Sequence, residues 1–326
     1  MAKVFISRRV FSEAVDLLEE AGHEVEINDT SRMLPKDELI EKIQDKDGLI
    51  CLLNDDIDPE LLDSNPNLKV VSNLAVGYDN IDVDAATERD VMVTNTPGVL
   101  TDTTADLTFA LLMSAARRTP EADRYSRAGK YDGWELMQPQ MGVDVYEKTL
   151  GIVGMGRIGT AVAKRGYHGF DMNIIYSDVE RNEKAEQEYD ADYMDFEEVL
   201  EQSDFISIHT PLIPETKHMF STEEFKKMKD SAILVNVARG PIVDEAELAE
   251  ALKSGEIRGA ALDVFEEEPK LHPEMAKIEE FVALAPHLGS ASRETRLKMA
   301  RMAANNMIAG LKGEEPPNIV NPEVRG

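Results

Sequence analysis

Short apolar runs alternate with amphipathic stretches through the first hundred residues: KVFIS, a helical pattern around Ser12–Ala21, HEVEIN, a second helical pattern near Lys36–Gln44, then GLICLL. KVVSNLAVGYDNID follows as a strand running into a glycine-containing loop, and VMVTNTPG closes the series. Strand alternating with helix in this way predicts βαβ units and a parallel sheet. From Thr101 to Arg118, TDTTADLTFALLMSAARR opens with capping residues and continues as a helix-forming apolar run, which reads as a long connecting helix. A second α/β series then starts at KTLGIVGMGRIG and passes through MNIIYSD, DFISIHTPL, SAILVNVAR, GAALDVF and FVALAPHLGS. The stretch Ser292–Leu311 is again helical, with Leu297, Met299, Met302, Met307 and Ile308 as apolar packing positions, and it can fold back onto the first series. The expected fold is therefore α/β, two Rossmann-like doubly wound parallel-sheet domains with an active-site cleft between them: residues 1–100 with 290–326, and residues 101–289.

A length of 326 residues suits two domains, and 42% hydrophobic with 30% charged residues is the composition of a folded protein. A formal charge of −28 opposes binding to nucleic acid or to an anionic membrane, so an anionic ligand must meet a locally positive pocket. The acidity is not accompanied by a loss of lysine, so adaptation to high salt is only weakly indicated. No apolar run approaches the roughly 20 residues that span a bilayer, and the N-terminus lacks the pattern of a secretory signal, so a cytoplasmic protein is expected. The single cysteine, Cys51, sits in an apolar run and reads as a buried hydrophobe rather than a nucleophile.

Gly154-Met155-Gly156-Arg157-Ile158-Gly159 follows a strand and opens a helical pattern, the context that a dinucleotide fingerprint requires. The first glycine permits a tight turn, the second lets a pyrophosphate reach the backbone, and the third allows close helix–strand packing. Free N–H groups at the helix start offer the positive charge that an anionic cofactor needs. About 20 residues on, MNIIYSD ends in Asp178, where a carboxylate accepts hydrogen bonds from ribose hydroxyls and repels the 2′-phosphate of NADP. Arg181, three positions later, leaves NADP open, but NAD is the expected cofactor. The histidines and acids lack metal-ligand spacing, and no metal is expected.

Arg239 follows ILVNVA, Glu268 follows ALDVFEE and His287 follows VALAP, all just beyond predicted strands, where open α/β sheets bind ligands. With these, NLAVGYDNID, NTPGVLTDTTADLTFALL, KTLGIVGMGRIG, SIHTPLIPET, ILVNVARGPIVDEAEL, ALDVFEEEP and APHLGS occur in one order. The set resembles the D-isomer-specific 2-hydroxyacid dehydrogenases over nearly the whole chain, most closely the glyoxylate and hydroxypyruvate reductase group.

That resemblance implies a substrate-binding (catalytic) domain at 1–100 with 290–326 and an NAD-binding domain at 101–289. Arg239 is then the residue that grips the substrate carboxylate, a two-point task suited to guanidinium. His287 is implied as general acid in reduction and base in oxidation, with Glu268 as its partner. Asp263 is implied to hold the nicotinamide carboxamide, and Thr104, Ile158, Thr210, Pro211 and Val237 to touch the cofactor. In the first domain, the N–H groups of Val76 and Gly77 are implied to bind the carboxylate, with Leu52 and Leu53 bordering the third carbon, which favours glyoxylate or hydroxypyruvate. Asn54 stands where many reductases of the group carry a small hydroxyl residue. Met137 and Met141 stand where relatives often have aromatics reaching toward a partner subunit. A homodimer through the cofactor domain is expected, with the helix from Thr101 and the loop through Trp134 as its interface, although Trp134 reads equally as a core aromatic.

Two alternatives accompany this reading. One is another D-2-hydroxyacid dehydrogenase, of the D-3-phosphoglycerate or D-lactate type, although CLLNDDID carries none of the extra basic residues that a phosphorylated substrate needs. A formate dehydrogenase would pair its histidine with glutamine, where this chain has Glu268. The other is a dinucleotide-sensing, corepressor-like binding protein, disfavoured by the short stretch that follows the last helix.

Overall fold

Twelve strands, every pairing between them parallel, carry the fold of the described residues, 1–325 of a computed structural model. The first five are β1 (Lys3–Ile6), β2 (Glu24–Ile27), β3 (Gly48–Cys51), β4 (Val70–Asn73) and β5 (Met92–Thr94). The rest are β6 (Thr149–Val153), β7 (Asn173–Ser177), β8 (Asp192–Tyr193), β9 (Phe205–Ile208), β10 (Ile233–Asn236), β11 (Gly259–Leu262) and β12 (Val282–Leu284). They form two sheets, in the orders β2-β1-β3-β4-β5 and β12-β11-β10-β9-β6-β7-β8. Each order reverses direction once, between β1 and β3 and between β6 and β9, as a doubly wound sheet must. The chain divides accordingly into a unit of Met1–Leu100 with the segment from Ala291 onward, and a unit of Thr101–Ser290.

Sequence explains why the central strands are short apolar runs rather than alternating ones. GLIC, VVSN, FISI, ILVN and GAAL are buried at every position because helices cover both faces of each sheet. Helix starts are cut where the chain offers a side-chain acceptor: Asp58, Asp82, Asn182, Asp244 and Ser292 each accept the N–H three residues on.

The helix Arg293–Leu311 belongs to the first unit and packs against the helix Ser12–Glu20 and against β3 and β4. Its closest approach uses Ala303, Ala304, Met307 and Gly310, whereas Leu297, Met302 and Ile308 are only partly buried. Small residues win there because a Cβ on Gly310 would meet Val70 at 2.7 Å. The Ala303 carbonyl also accepts the Ser72 hydroxyl at 3.0 Å. Cys51 is fully buried, as its apolar setting predicts.

The helix expected from Thr101 to Arg118 ends at Ala116. Arg118 takes a left-handed backbone, φ +53°, and starts a second helix, Thr119–Arg127, that the apolar pattern does not announce. From Gly129 to Lys148 the chain has neither helix nor strand, and Trp134 is 74% exposed, so it is not a core aromatic. No helix of the described residues is long and apolar enough to cross a membrane.

Candidate active site

The glycine loop lies at the reversal point of the seven-stranded sheet, between the end of β6 and the helix Arg157–Phe170. Gly154 has φ +96°, and a Cβ there would sit 2.8–2.9 Å from the main chain of His209 and Thr210 at the end of β9. Only glycine satisfies both the dihedral and the approach. At Gly156 a Cβ would meet nothing within 4 Å, and no side chain caps the first turn of the helix it precedes. The loop thus presents open space to uncapped amides, where an anionic group is stabilised. Asp178, just past β7, accepts the Met155 N–H and the Val179 N–H, each at 2.6 Å, and so stands against the loop. Arg157 is exposed, Ile158 is half-buried, and Pro211 is exposed next to Thr210. The Thr210 hydroxyl is buried without a hydrogen-bond partner. Open space at Gly156, free amides, an orphaned hydroxyl and a carboxylate at the β7 end fit a dinucleotide. Val237 and Thr104 are buried, with the Thr104 hydroxyl donating to the Gly289 carbonyl at 3.1 Å.

Three loops past β10, β11 and β12 carry the candidate chemistry. After β10, the Asn236 side chain folds the turn by donating to the Arg239 carbonyl and accepting the Ala238 N–H. Arg239 sends one guanidinium N–H to the Ala238 carbonyl at 2.8 Å. The next residue, Gly240, lies so close to the Phe265 carbonyl that any Cβ would collide with it, which locks the Arg239 loop against the loop after β11. In that second loop Glu268 accepts the Phe265 N–H at 3.3 Å. Its carboxylate oxygens lie 3.1 and 2.9 Å from His287 Nδ1. The pairing assigns a proton to Nδ1 and leaves Nε2 outside the pair.

His287 has φ +54°, and its conformation is held by Asp263 at the end of β11. The His287 N–H donates to the Asp263 carbonyl at 2.8 Å, and the Leu288 and Gly289 N–H groups donate to its two carboxylate oxygens at 2.6 and 2.8 Å. Asp263 is fully buried, and burial pushes its carboxyl above the ordinary range against the pull of those amides. Its oxygens are therefore turned to the His287 loop and not toward open space, a placement that the strand-end position alone does not reveal.

A second brace was not visible in the sequence. Glu245, buried at the start of the helix Glu245–Ser254, accepts the Glu266 N–H at 2.9 Å and the His272 N–H at 3.0 Å. Glu266 returns the contact by accepting the Glu245 N–H, and it also meets His218 Nε2 at 2.6 Å. Both sides of Glu268 are thereby fixed. Burial pushes the Glu245 carboxyl up as well.

In the first unit, the candidate substrate loops follow β3 and β4. Leu52 and Leu53 are half-buried, and Asn54 is exposed. The Ala75 carbonyl accepts the Thr96 N–H, the Val76 carbonyl accepts Asn95 Nδ2 at 2.7 Å, and the Gly77 carbonyl accepts Asn73 Nδ2 at 2.9 Å. Asn80 bonds Asn73 and donates to the Leu52 and Asp55 carbonyls. In a trans peptide the N–H points opposite to the preceding carbonyl. Tying back these carbonyls aims the Val76 and Gly77 N–H groups to the other side, as an anion site requires.

Among the described residues no group of histidine, cysteine and acidic side chains could hold a metal ion.

Residues 109–289 match the family model of the D-isomer specific 2-hydroxyacid dehydrogenase NAD binding domain. The chain is 49% identical over 326 residues to a glyoxylate reductase of Thermococcus litoralis, covering 99% of this chain and 97% of that protein. It is 51% identical to a glyoxylate reductase of Korarchaeum cryptofilum, covering 99% and 96% respectively. Among solved structures, a protein of Thermus thermophilus superposes with a TM-score of 0.91 at 42% identity, covering 98% of this chain and 99% of that one.

Proposed function

Because this chain belongs to the D-isomer-specific 2-hydroxyacid dehydrogenases, in the glyoxylate reductase group, we propose that it reduces glyoxylate or hydroxypyruvate to the 2-hydroxy acid with NADH. The observation that carries the proposal is the His287–Glu268 pair, held on strand-end loops with Arg239 in the sheet whose β6 end carries a glycine loop suited to a dinucleotide. The bound nicotinamide supplies the hydride.

Each remaining step falls to this chain's side chains. Arg239 binds the substrate carboxylate and draws charge from its carbonyl. The His287 Nε2–H donates its proton to the carbonyl oxygen, and the Nδ1–H bond to Glu268 keeps the ring oriented as the imidazole becomes neutral. In the reverse direction Nε2 takes the hydroxyl proton. Gly154, Gly156, Gly159, Arg157 and Ile158 line the dinucleotide with Thr210 and Pro211, while Val237 and Thr104 back the same region. Asp178 accepts from the ribose hydroxyls, which favours NAD over NADP. Asp263 acts in this scheme as a positioning residue for His287. From the first unit, the Val76 and Gly77 amides bind the carboxylate and Leu53 limits the substrate's third carbon.

Uptake of anions by a protein of formal charge −28 requires such local positive sites: the amides, the helix start and Arg239. A homodimer through the cofactor domain completes the proposal. Its support is the set of exposed large apolar side chains, Tyr131, Trp134, Leu136, Met137 and Tyr146, on one irregular segment.

The direct test is oxidation of NADH and of NADPH with glyoxylate, hydroxypyruvate, pyruvate and phosphohydroxypyruvate. NADH turnover with the first two is expected, abolished by His287→Ala and by Arg239→Ala. Cofactor binding without turnover of any of the four acids would overturn the assignment.

A further inference from the structure

Arg181 is the one cation that keeps NADP open in the sequence, and its surroundings bear on that question. It stands three residues beyond Asp178, on the segment stitched to the glycine loop by Asn182, whose Nδ2 donates to the Met155 carbonyl at 2.8 Å and to the Thr160 hydroxyl at 3.1 Å. The guanidinium lies 5.8 Å from the centre of the Tyr193 ring, and the Tyr193 hydroxyl donates to the Asp178 carbonyl at 3.1 Å. Arg181 thus shares with Asp178 the end of β7 where the ribose is proposed to bind.

It is, however, already engaged. Nε and Nη2 donate to the two oxygens of Glu186 at 3.1 and 2.7 Å, a two-point ion pair. Glu186 is anchored from behind by the buried Tyr176, whose hydroxyl donates to it at 2.7 Å and accepts the Asn182 N–H at 2.7 Å. The Glu186 side chain is 19% exposed, against 62% for Arg181, so the acid is the fixed partner and the arginine the held one. Arg181 and the Tyr176 hydroxyl together keep the Glu186 carboxyl below its ordinary range, so it stays charged.

We propose that Glu186 is a specificity-determining residue for the dinucleotide: by holding Arg181 it withholds that cation from a ribose 2′-phosphate and reinforces the choice made by Asp178. With Glu186 in place, Asp178, Arg181 and Glu186 sum to one negative charge facing a phosphate. Without it they sum to zero, and the guanidinium fork is released for two-point phosphate binding. This inference rests on the proposed preference for NAD, yet it makes a separate claim about which residue removes the cation.

Calorimetric titration of the full-length protein with NAD and NADP, in the absence of substrate, reads binding directly. The ratio of the wild-type Kd values judges the NAD preference, and the change on substitution judges Glu186. Glu186→Gln keeps the shape and the Tyr176 contact while removing the charge. It is expected to tighten NADP by about 2- to 5-fold, the range of a partly exposed charge pair, with NAD affinity unchanged. Glu186→Ala should do the same, and adding Arg181→Ala to either variant should return NADP to the wild-type Kd. An unchanged NADP Kd in both Glu186 variants would overturn the proposal, as would a gain that survives without Arg181.

Discussion

His287 adopts a left-handed backbone that few residues other than glycine tolerate, at a cost of order 1 kcal/mol. Asp263 offsets that cost with three hydrogen bonds from consecutive N–H groups. In the proposed mechanism, a buried carboxylate spent in this way acts through the imidazole it positions. Asp263→Asn replaces one acceptor by a donor facing an N–H group, so the loop must shift. The expected outcome is a fall in kcat of about 100-fold, the penalty of an ångström-scale misplacement, with the calorimetric Kd for NAD retained. A weakened Kd with kcat intact would instead assign Asp263 to the nicotinamide carboxamide. The variant should also change the pH dependence of stability. Because burial raises the Asp263 carboxyl, stability linked to its protonated form is complete below the unfolded-state value of about 3.8 and is lost as pH rises through the higher folded value. Asparagine removes that loss.

At the scale of elements, each candidate site loop is fastened by side chains from the strand before it or from a neighbouring segment. Asn236 folds the Arg239 turn, Glu245 and Glu266 clasp the segment around Glu268, and Asn73, Asn80 and Asn95 tie the carbonyls of the loops after β3 and β4. Asparagine suits this task because its amide donates to carbonyls without adding charge. Asn95→Ala frees the Val76 carbonyl and loosens the Gly77 N–H that shares its peptide plane. The KM for glyoxylate should rise about fivefold, the equivalent of one hydrogen bond of about 1 kcal/mol. The NAD Kd, which belongs to the other unit, should stay constant. An unchanged KM would remove this loop from carboxylate binding.

At the scale of the whole molecule, Tyr131, Trp134, Leu136, Met137, Met141 and Tyr146 put six of the exposed large apolar side chains of the described residues within residues 131–146. A strongly acidic chain gains solubility from its charge, so a cluster that leaves Trp134 at 74%, Leu136 at 77% and Met137 at 72% exposure needs another reason. The proposed homodimer, with a second copy over these side chains, would supply one. Sedimentation equilibrium should give twice the 36.3 kDa chain mass for the wild type, and Trp134→Glu should shift it toward the single-chain mass. A wild-type protein that sediments as one chain would refute the dimer.

The fold class, the order of the strands along the chain save the two-residue β8, and the glycine loop were legible in the sequence because they rest on local periodicity and on a backbone conformation that glycine alone allows at Gly154. Family membership was legible for a related reason: the motifs around Arg239, Glu268 and His287 each lie at a strand end, and strand ends can be read from apolar runs. Tertiary structure decided what sequence spacing cannot express, namely which groups meet across loops far apart in the chain. Arg181 reads as free in the sequence and is held by Glu186; Asp263 reads as a ligand contact and is turned to the His287 loop. Glu245 gives no signal, since a carboxylate at a helix start is ordinary until two distant N–H groups converge on it. Trp134 stayed open between core and surface because an aromatic side chain suits both. Local sequence encodes dihedral preference and apolar pattern, whereas hydrogen-bond partners and burial arise only when the strands have been brought side by side.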